Sequence, residues 1–155
     1  LHKKAAMSTY TQILYQIVFS TKNREKTLLE DANLNELYRF IWGILKNKQC
    51  VLYQINGVSD HIHIATHLHP TISLSSLVKD IKVSSSLWIK ESHVFPNFSS
   101  WQEGYGGFTY SAKEKNTLIN YIKNQAEHHR VKTFREELIE LLNEHGVEFD
   151  ERYLL

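Results

Sequence analysis

The chain reads as an α+β domain of the split β-α-β, ferredoxin-like (RRM-like) kind: an antiparallel sheet with helices on one side and extra C-terminal helices. Three observations predict it. Short runs of β-branched and aromatic residues mark four strands, and apolar positions at three- and four-residue spacing mark helices between them. Their order, strand, helix, strand, strand, helix, strand, helix, is the one this fold requires. With 155 residues, 42% of them hydrophobic and 23% charged, the chain has the balance of one globular domain able to bury its own core. That domain is placed over residues 7–155. Residues 1–6 precede the only methionine, Met7, lack the apolar core and cleavage site of a signal peptide, and read as an expression scar.

The first strand is expected over Tyr10 to Ser20 (YTQILYQIVFS), leaving into the polar run Thr21 to Lys26. A helix follows from about Leu29 to Asn47, where Leu34, Leu37, Tyr38, Ile41, Ile44 and Leu45 form one stripe. Cys50 to Asn56 and His61 to Leu68 are two strands joined by Gly57-Val58-Ser59-Asp60, a hairpin signal longer than the tightest two-residue kinds. After Pro70, Leu74, Leu77, Val78, Ile81 and Leu87-Trp88 give a second helix ending near His93. Pro96 to Gly107 reads as a loop, overlapping the glycine entry of a fourth strand, Gly104 to Ser111. Ser111 and Glu114 have capping-box spacing and open a third helix to about His129. A last amphipathic segment runs from Phe134 to Asn143 and stops at His145-Gly146.

Composition narrows the function classes. The formal charge of +1 becomes −1 once Lys3 and Lys4 are set aside, so no strong global field drives duplex binding and any nucleic-acid contact must be local. Cys50, the single cysteine, cannot form an intramolecular disulfide. No apolar run approaches the roughly 18 residues that span a bilayer. The chain therefore reads as cytoplasmic and reduced, with no membrane partner.

Two groups of residues carry chemistry. In Asp60-His61-Ile62-His63-Ile64-Ala65-Thr66-His67-Leu68-His69, the period of a strand places His61, His63, His67 and His69 on one face and Ile62, Ile64, Thr66 and Leu68 on the other. Two histidines two apart on a strand converge as a divalent metal requires, because neighbouring imidazoles on one face can reach one ion. The bland alternative is a solvated sheet face. His67 and His69 are assigned to solvent or DNA contact, and Asp60 to the turn. In Tyr121-Ile122-Lys123-Asn124-Gln125-Ala126-Glu127-His128-His129, Tyr121 and Gln125 lie one helical turn apart and share a face. A tyrosine with its usual pKa of about 10 becomes a nucleophile only with help from a metal or a proton-accepting neighbour.

Together these segments resemble the single-tyrosine HUH transposases of bacterial insertion sequences, the 200/605 type. The resemblance runs from Met7 over nearly the whole chain. It rests on Tyr15-Gln16-Ile17-Val18-Phe19-Ser20-Thr21-Lys22, on His61-Ile62-His63, on Trp101-Gln102-Glu103-Gly104-Tyr105-Gly106, and on Tyr121 with Gln125 in YIKNQAEHH. The closing Gly146 to Leu154 resembles the usual tail of the group. The resemblance implies that His61, His63 and Gln125 hold Mg²⁺ or Mn²⁺. It also implies that Tyr121 attacks a phosphodiester of single-stranded DNA, leaving a 5′-phosphotyrosine and a free 3′-hydroxyl. It further implies a homodimer whose active sites are shared between subunits, and DNA substrates with a hairpin near the element ends.

Lys22, Arg24, Lys26, Lys79, Lys82, Arg130 and Lys132 are candidate phosphate contacts, and Tyr105 a candidate for base stacking. Trp101 is assigned to packing. Gly104-Tyr105-Gly106-Gly107 lacks the Lys-Ser/Thr of a phosphate-binding loop and reads as strand-entry freedom. Two rival readings share the fold: a host-domesticated HUH endonuclease acting on palindromic repeats, and a non-catalytic single-strand nucleic-acid binding module. A zinc hydrolase is disfavoured because no third His, Cys or carboxylate sits at an obvious ligand spacing.

Overall fold

The computed structural model describes residues 9–154; the segment read as an expression scar lies outside them. The elements are β1 (Leu14–Ser20), α1 (Asp31–Asn47), β2 (Leu52–Val58), β3 (His61–His67), α2 (Leu74–Ser92), β4 (Gly106–Tyr110), α3 (Lys115–Lys123), α4 (Gln125–His128) and α5 (Phe134–Glu144), with short 3₁₀ turns between some of them. The sheet order is β2-β3-β1-β4 and every pairing is antiparallel. This is the predicted α+β fold, and it puts β1 and β3, the two most deeply buried strands, at its centre.

Both faces of the sheet are covered. On one, Ile17 and Phe19 of β1 and Ile62 and Ile64 of β3 pack with Leu37, Ile41 and Leu45 of α1 and with Leu77 and Ile81 of α2. On the other, Val18 and Phe108 meet Phe134, Leu138 and Leu141 of α5, while Leu14 and Ala65 meet Leu118 and Ile122 of α3. The C-terminal helices are therefore a second layer. Between its two apolar clusters lie His61 and His63, both fully buried, which removes the solvated-face alternative.

The structure departs from the sequence expectations at element ends. β1 starts at Leu14 rather than Tyr10. The hairpin link is only Ser59-Asp60, because Gly57 and Val58 stay in the ladder opposite Ile62 and His61. Gly57 can do so because it has no side chain: a Cβ there would lie 2.4 Å from the His61 carbonyl oxygen. β3 ends at His67, so His69 falls outside the strand and bonds Thr71 instead. The third helix is not continuous. The Ser111–Glu114 capping box opens a 3₁₀ turn, and the helix proper breaks at Asn124 into α3 and α4. Asn56 of β2 explains that break, since its Nδ2 donates to the carbonyls of Ile122 and Lys123, each at 3.0 Å, satisfying the end of α3.

Among the described residues no helix is long and apolar enough to cross a membrane. Trp101 is a packing residue, as expected: it is buried edge-on to Phe19 and Phe98 and donates from Nε1 to Ser85 Oγ at 2.9 Å.

The close approach at Gly57 gives a test of the hairpin. Gly57→Ala must push β2 from β3 or distort the turn, and we expect it to cost about 1–3 kcal/mol, as other overpacking changes do. Urea denaturation would show it as a lower midpoint at an unchanged slope. An unaltered midpoint would mean that the ladder does not run as described.

Candidate active site

β3 delivers the first two donors. His61 and His63 alternate with Ile62, so the residues that anchor the core on one face aim two imidazoles at the other. Each ring is fixed at its Nδ1. His61 Nδ1 lies 2.7 Å from the carboxylate of Asp60, a turn residue as expected, and His63 Nδ1 lies 2.9 Å from Gln16 Nε2. Gln16 is buried and accepts in turn from the Tyr110 hydroxyl. Both imidazoles are thereby left with Nε2 facing the space between the sheet and the C-terminal layer.

That space is filled by one side chain that the sequence reading missed. Glu137 of α5 is buried, and its Oε1 lies 3.0 Å from His63 Nε2, 2.8 Å from His129 Nε2 and 3.4 Å from His61 Nε2. Its Oε2 accepts from the Tyr121 hydroxyl in a very short hydrogen bond and from Gln125 Nε2 at 3.2 Å. Gln125 is buried, with Oε1 3.3 Å from His61 Nε2. The Tyr121 ring stands edge-on to His63, with centroids 5.9 Å apart. All four of the metal and nucleophile residues read from sequence, Tyr121, His61, His63 and Gln125, thus come together within one chain, with Glu137 and His129 added.

A signal for Glu137 existed. Phe134, Leu138 and Leu141 form the buried stripe of α5, and Glu137 falls on that stripe, where a carboxylate has no reason to be unless something inside receives it. The reason advanced against a zinc hydrolase, the missing third histidine or carboxylate, falls: His61, His63, His129 and Glu137 place one ligand atom each within 4.8 Å of one another and could hold a metal ion. Sequence spacing could not show it, because the four residues come from β3, the turn after α4, and α5.

The electrostatics follow from one anion among several imidazoles. Burial works against the Glu137 carboxylate, but hydrogen bonds from His129, His61 and His63 outweigh it and hold Glu137 well below the usual carboxylate range. Burial also works against charge on His61, yet the bonds to Asp60 and Glu137 raise its pKa. His63 lacks a second carboxylate, and burial pushes it down to about 4. The two differ because Asp60 serves only His61. Tyr121 is raised by burial first and by the Glu137 charge second, so the phenol keeps its proton at rest.

The candidate DNA contacts fall into three places. Lys26, Arg130 and Lys132 line a cleft that reaches His129, although Arg130 pairs with Glu127 and Lys132 with Glu140. Lys79, Lys82 and Tyr105 line a groove between α2 and the loop before β4. There Lys82 spends hydrogen bonds on the Gln102 and Gly104 carbonyls, and Tyr105 is partly exposed. Lys22 and Arg24 lie on the 3₁₀ turn after β1, where Arg24 lines a surface pocket with Asn23, Gln102 and Arg152.

Comparison with known proteins gives a consistent picture. A family model described as "Transposase IS200 like" matches residues 9–125. Among solved structures, the chain is similar to a candidate transposase from Deinococcus radiodurans R1, with 20% identity and a TM-score of 0.61, covering 77% of this chain and 95% of that one. It is also similar to a REP-associated tyrosine transposase bound to a REP hairpin, with 18% identity and a TM-score of 0.58, covering 79% of this chain and 74% of that one. At such identities these likenesses speak for the fold. No curated protein matches in sequence. The family match spans well over half of the residues, and the chain belongs to the IS200-like transposase family.

Proposed function

We propose that the chain cleaves and rejoins single-stranded DNA at insertion-sequence ends through a 5′-phosphotyrosine intermediate. Tyr121 is the nucleophile, and His61, His63 and Gln125 hold a divalent ion, Mg²⁺ or Mn²⁺. The observation that carries this reading is the placement of the Tyr121 hydroxyl on the same carboxylate that faces the imidazoles. A non-catalytic binding module has no use for a half-buried phenol and a rim imidazole joined to a buried amide, a buried carboxylate and two buried imidazoles in one network. When bound, the ion would withdraw charge from a non-bridging phosphate oxygen and align the leaving 3′ oxygen.

The chain's own residues supply the rest. Tyr121 Oη attacks phosphorus and gives up its proton to Glu137 Oε2, the acceptor it already faces. The bond from phosphorus to the 3′ oxygen breaks, and that oxygen takes a proton from water. The tyrosyl ester keeps the phosphodiester's energy, so a 3′-hydroxyl can reverse the attack and join new ends without ATP. Asp60 and Gln16 keep the imidazoles turned inward. The basic cleft of Lys26, Arg130 and Lys132 opens beside His129 and is where we place the DNA backbone. Lys79, Lys82 and Tyr105 offer a second surface for an unpaired segment, and Lys22 and Arg24 a third set of phosphate contacts.

A hairpin near the element ends is the proposed recognition feature. The likeness to a transposase bound to a REP hairpin favours a second reading with the same chemistry: a host-domesticated endonuclease acting on palindromic repeats. A homodimer with shared sites is part of the proposal. Within the single chain α3 packs on its own sheet and the Tyr121 ring meets His63, so a site assembled within one subunit is the alternative to exchange between subunits.

Tyr121→Phe is expected to bind hairpin DNA normally and to form no covalent adduct on denaturing gels with Mg²⁺ or Mn²⁺; undiminished adduct would remove Tyr121 from the reaction. His61→Ala or His63→Ala is expected to lower cleavage by about 100-fold or more with little loss of hairpin binding. Co-expressed with Tyr121→Phe, His61→Ala recovers cleavage only if sites are shared between subunits.

Protonation also sets the stability profile of the ion-free protein. His61 is raised, so its contribution is complete below its unfolded value near 6.5 and is lost as pH rises through the higher folded value. His63 is lowered to about 4, so between its ordinary 6.5 and that value the unfolded chain takes up a proton that the folded chain refuses. Glu137 adds to the acid loss, its stabilisation being complete above the ordinary 4.5 and falling below it. Tm with chelator present should therefore peak near the ordinary histidine pKa and fall on both sides. Asp60→Asn should flatten the alkaline limb, and a monotonic profile in the parent protein would contradict these assignments.

A further inference from the structure

Resting on the reading above, we propose that His129 and Glu137 complete the metal centre of this chain: His61, His63 and His129 bind through Nε2 and Glu137 through Oε1, a three-imidazole, one-carboxylate set suited to a borderline transition-metal ion rather than to Mg²⁺. Both added ligands lie beyond residue 125, where the family match ends.

The distances carry the assignment. Two donors about 2.1 Å from one ion lie about 3.0 Å apart at a right angle and about 3.4 Å apart in a tetrahedron. Glu137 Oε1 stands 2.8, 3.0 and 3.4 Å from the three Nε2 atoms. The rings are already gathered, with His61 centred 5.1 Å from His63 and 4.3 Å from His129. Gln125 Oε1, at 3.3 Å from His61 Nε2, is in place as a fifth donor.

The surroundings are those of a built site. His61 is oriented from behind by the Asp60 carboxylate, as ligating imidazoles usually are, whereas His63 Nδ1 accepts from Gln16 Nε2, so binding through His63 Nε2 requires the Gln16 amide to turn over and accept from Nδ1. The Phe134 ring lies 4.5 Å from that of His61 and covers it from α5. Glu137 has one oxygen for the ion and the other for Tyr121, so a single carboxylate sets how far the nucleophile stands from the metal. Imidazole nitrogen suits iron, nickel, copper and zinc, manganese is the weakest-bound of the first-row ions and also accepts the carboxylate oxygen, and Mg²⁺ prefers oxygen donors and retained water.

The test is isothermal titration of the full chain, stripped of metal, with MnCl₂, ZnCl₂ and MgCl₂ separately. The parent protein should bind Zn²⁺ and Mn²⁺ more tightly than Mg²⁺ by a factor of about 10 or more. His129→Ala and Glu137→Gln should each weaken Mn²⁺ binding by about 10-fold or more, while His69→Ala leaves it unchanged. Unchanged or tighter binding in Glu137→Gln would mean that the carboxylate fills the place of the ion instead of holding it, and the inference would fall. If His61→Ala alone weakens binding, the centre is the two-histidine and glutamine set, and the proposed function survives without this extension. If the parent protein binds no ion at all, both fail. Should Glu137→Gln not fold, His129→Ala decides alone, since its side chain lies at the rim of the site, 9% exposed.

Discussion

A single buried carboxylate organises the C-terminal half of this protein. A charge without partners in the interior is costly enough that a carboxyl group would normally give up its ionisation. Glu137 keeps its charge because its two oxygens are shared among His61, His63, His129, Tyr121 and Gln125. Those partners come from β3, α3, α4 and the turn that follows, while the carboxylate comes from α5. The network therefore specifies where the second helical layer sits on the sheet, a job that its two small apolar clusters leave underdetermined at their junction.

The arrangement also divides labour within one strand. Along β3 the isoleucines close the larger core with α1 and α2, and the histidines line the polar junction on the opposite face. The same alternation is visible in the sequence as His61-Ile62-His63-Ile64. Asn56 on the neighbouring strand ties the end of α3 to this frame, so Tyr121 is placed by a backbone contact rather than by helix packing alone. The break at Asn124 then lets Gln125 point inward from a separate short helix.

What could be read from sequence was what repeats or sits locally. Strand alternation placed His61 and His63 on one face, helical spacing put Tyr121 and Gln125 together, and capping chemistry at Ser111 marked where the third helical segment begins. Glu137 escaped because an isolated Glu in an amphipathic helix is usually solvated, and only the docked layer shows what waits beneath it. His129 escaped because the turn after α4 carries no periodic signal. The two-residue hairpin was hidden by Gly57, which reads as turn punctuation but serves as space inside the ladder. The lysines carry no such signal, since exposed charges leave no pattern that separates a phosphate contact from an ordinary solvated surface.

One consequence of the β3 register concerns errors in folding. A slip by one residue would exchange every inward and outward side chain of that strand. The imidazoles would then enter the aliphatic core and the isoleucines would face the Glu137 carboxylate, so the same slip destroys the hydrophobic packing and the candidate active site together. A misaligned copy of this protein cannot persist as a well-folded molecule that merely lacks the histidine cluster. Correct alignment is enforced by stability itself, and any molecule that survives as a compact fold carries its histidines facing the right way.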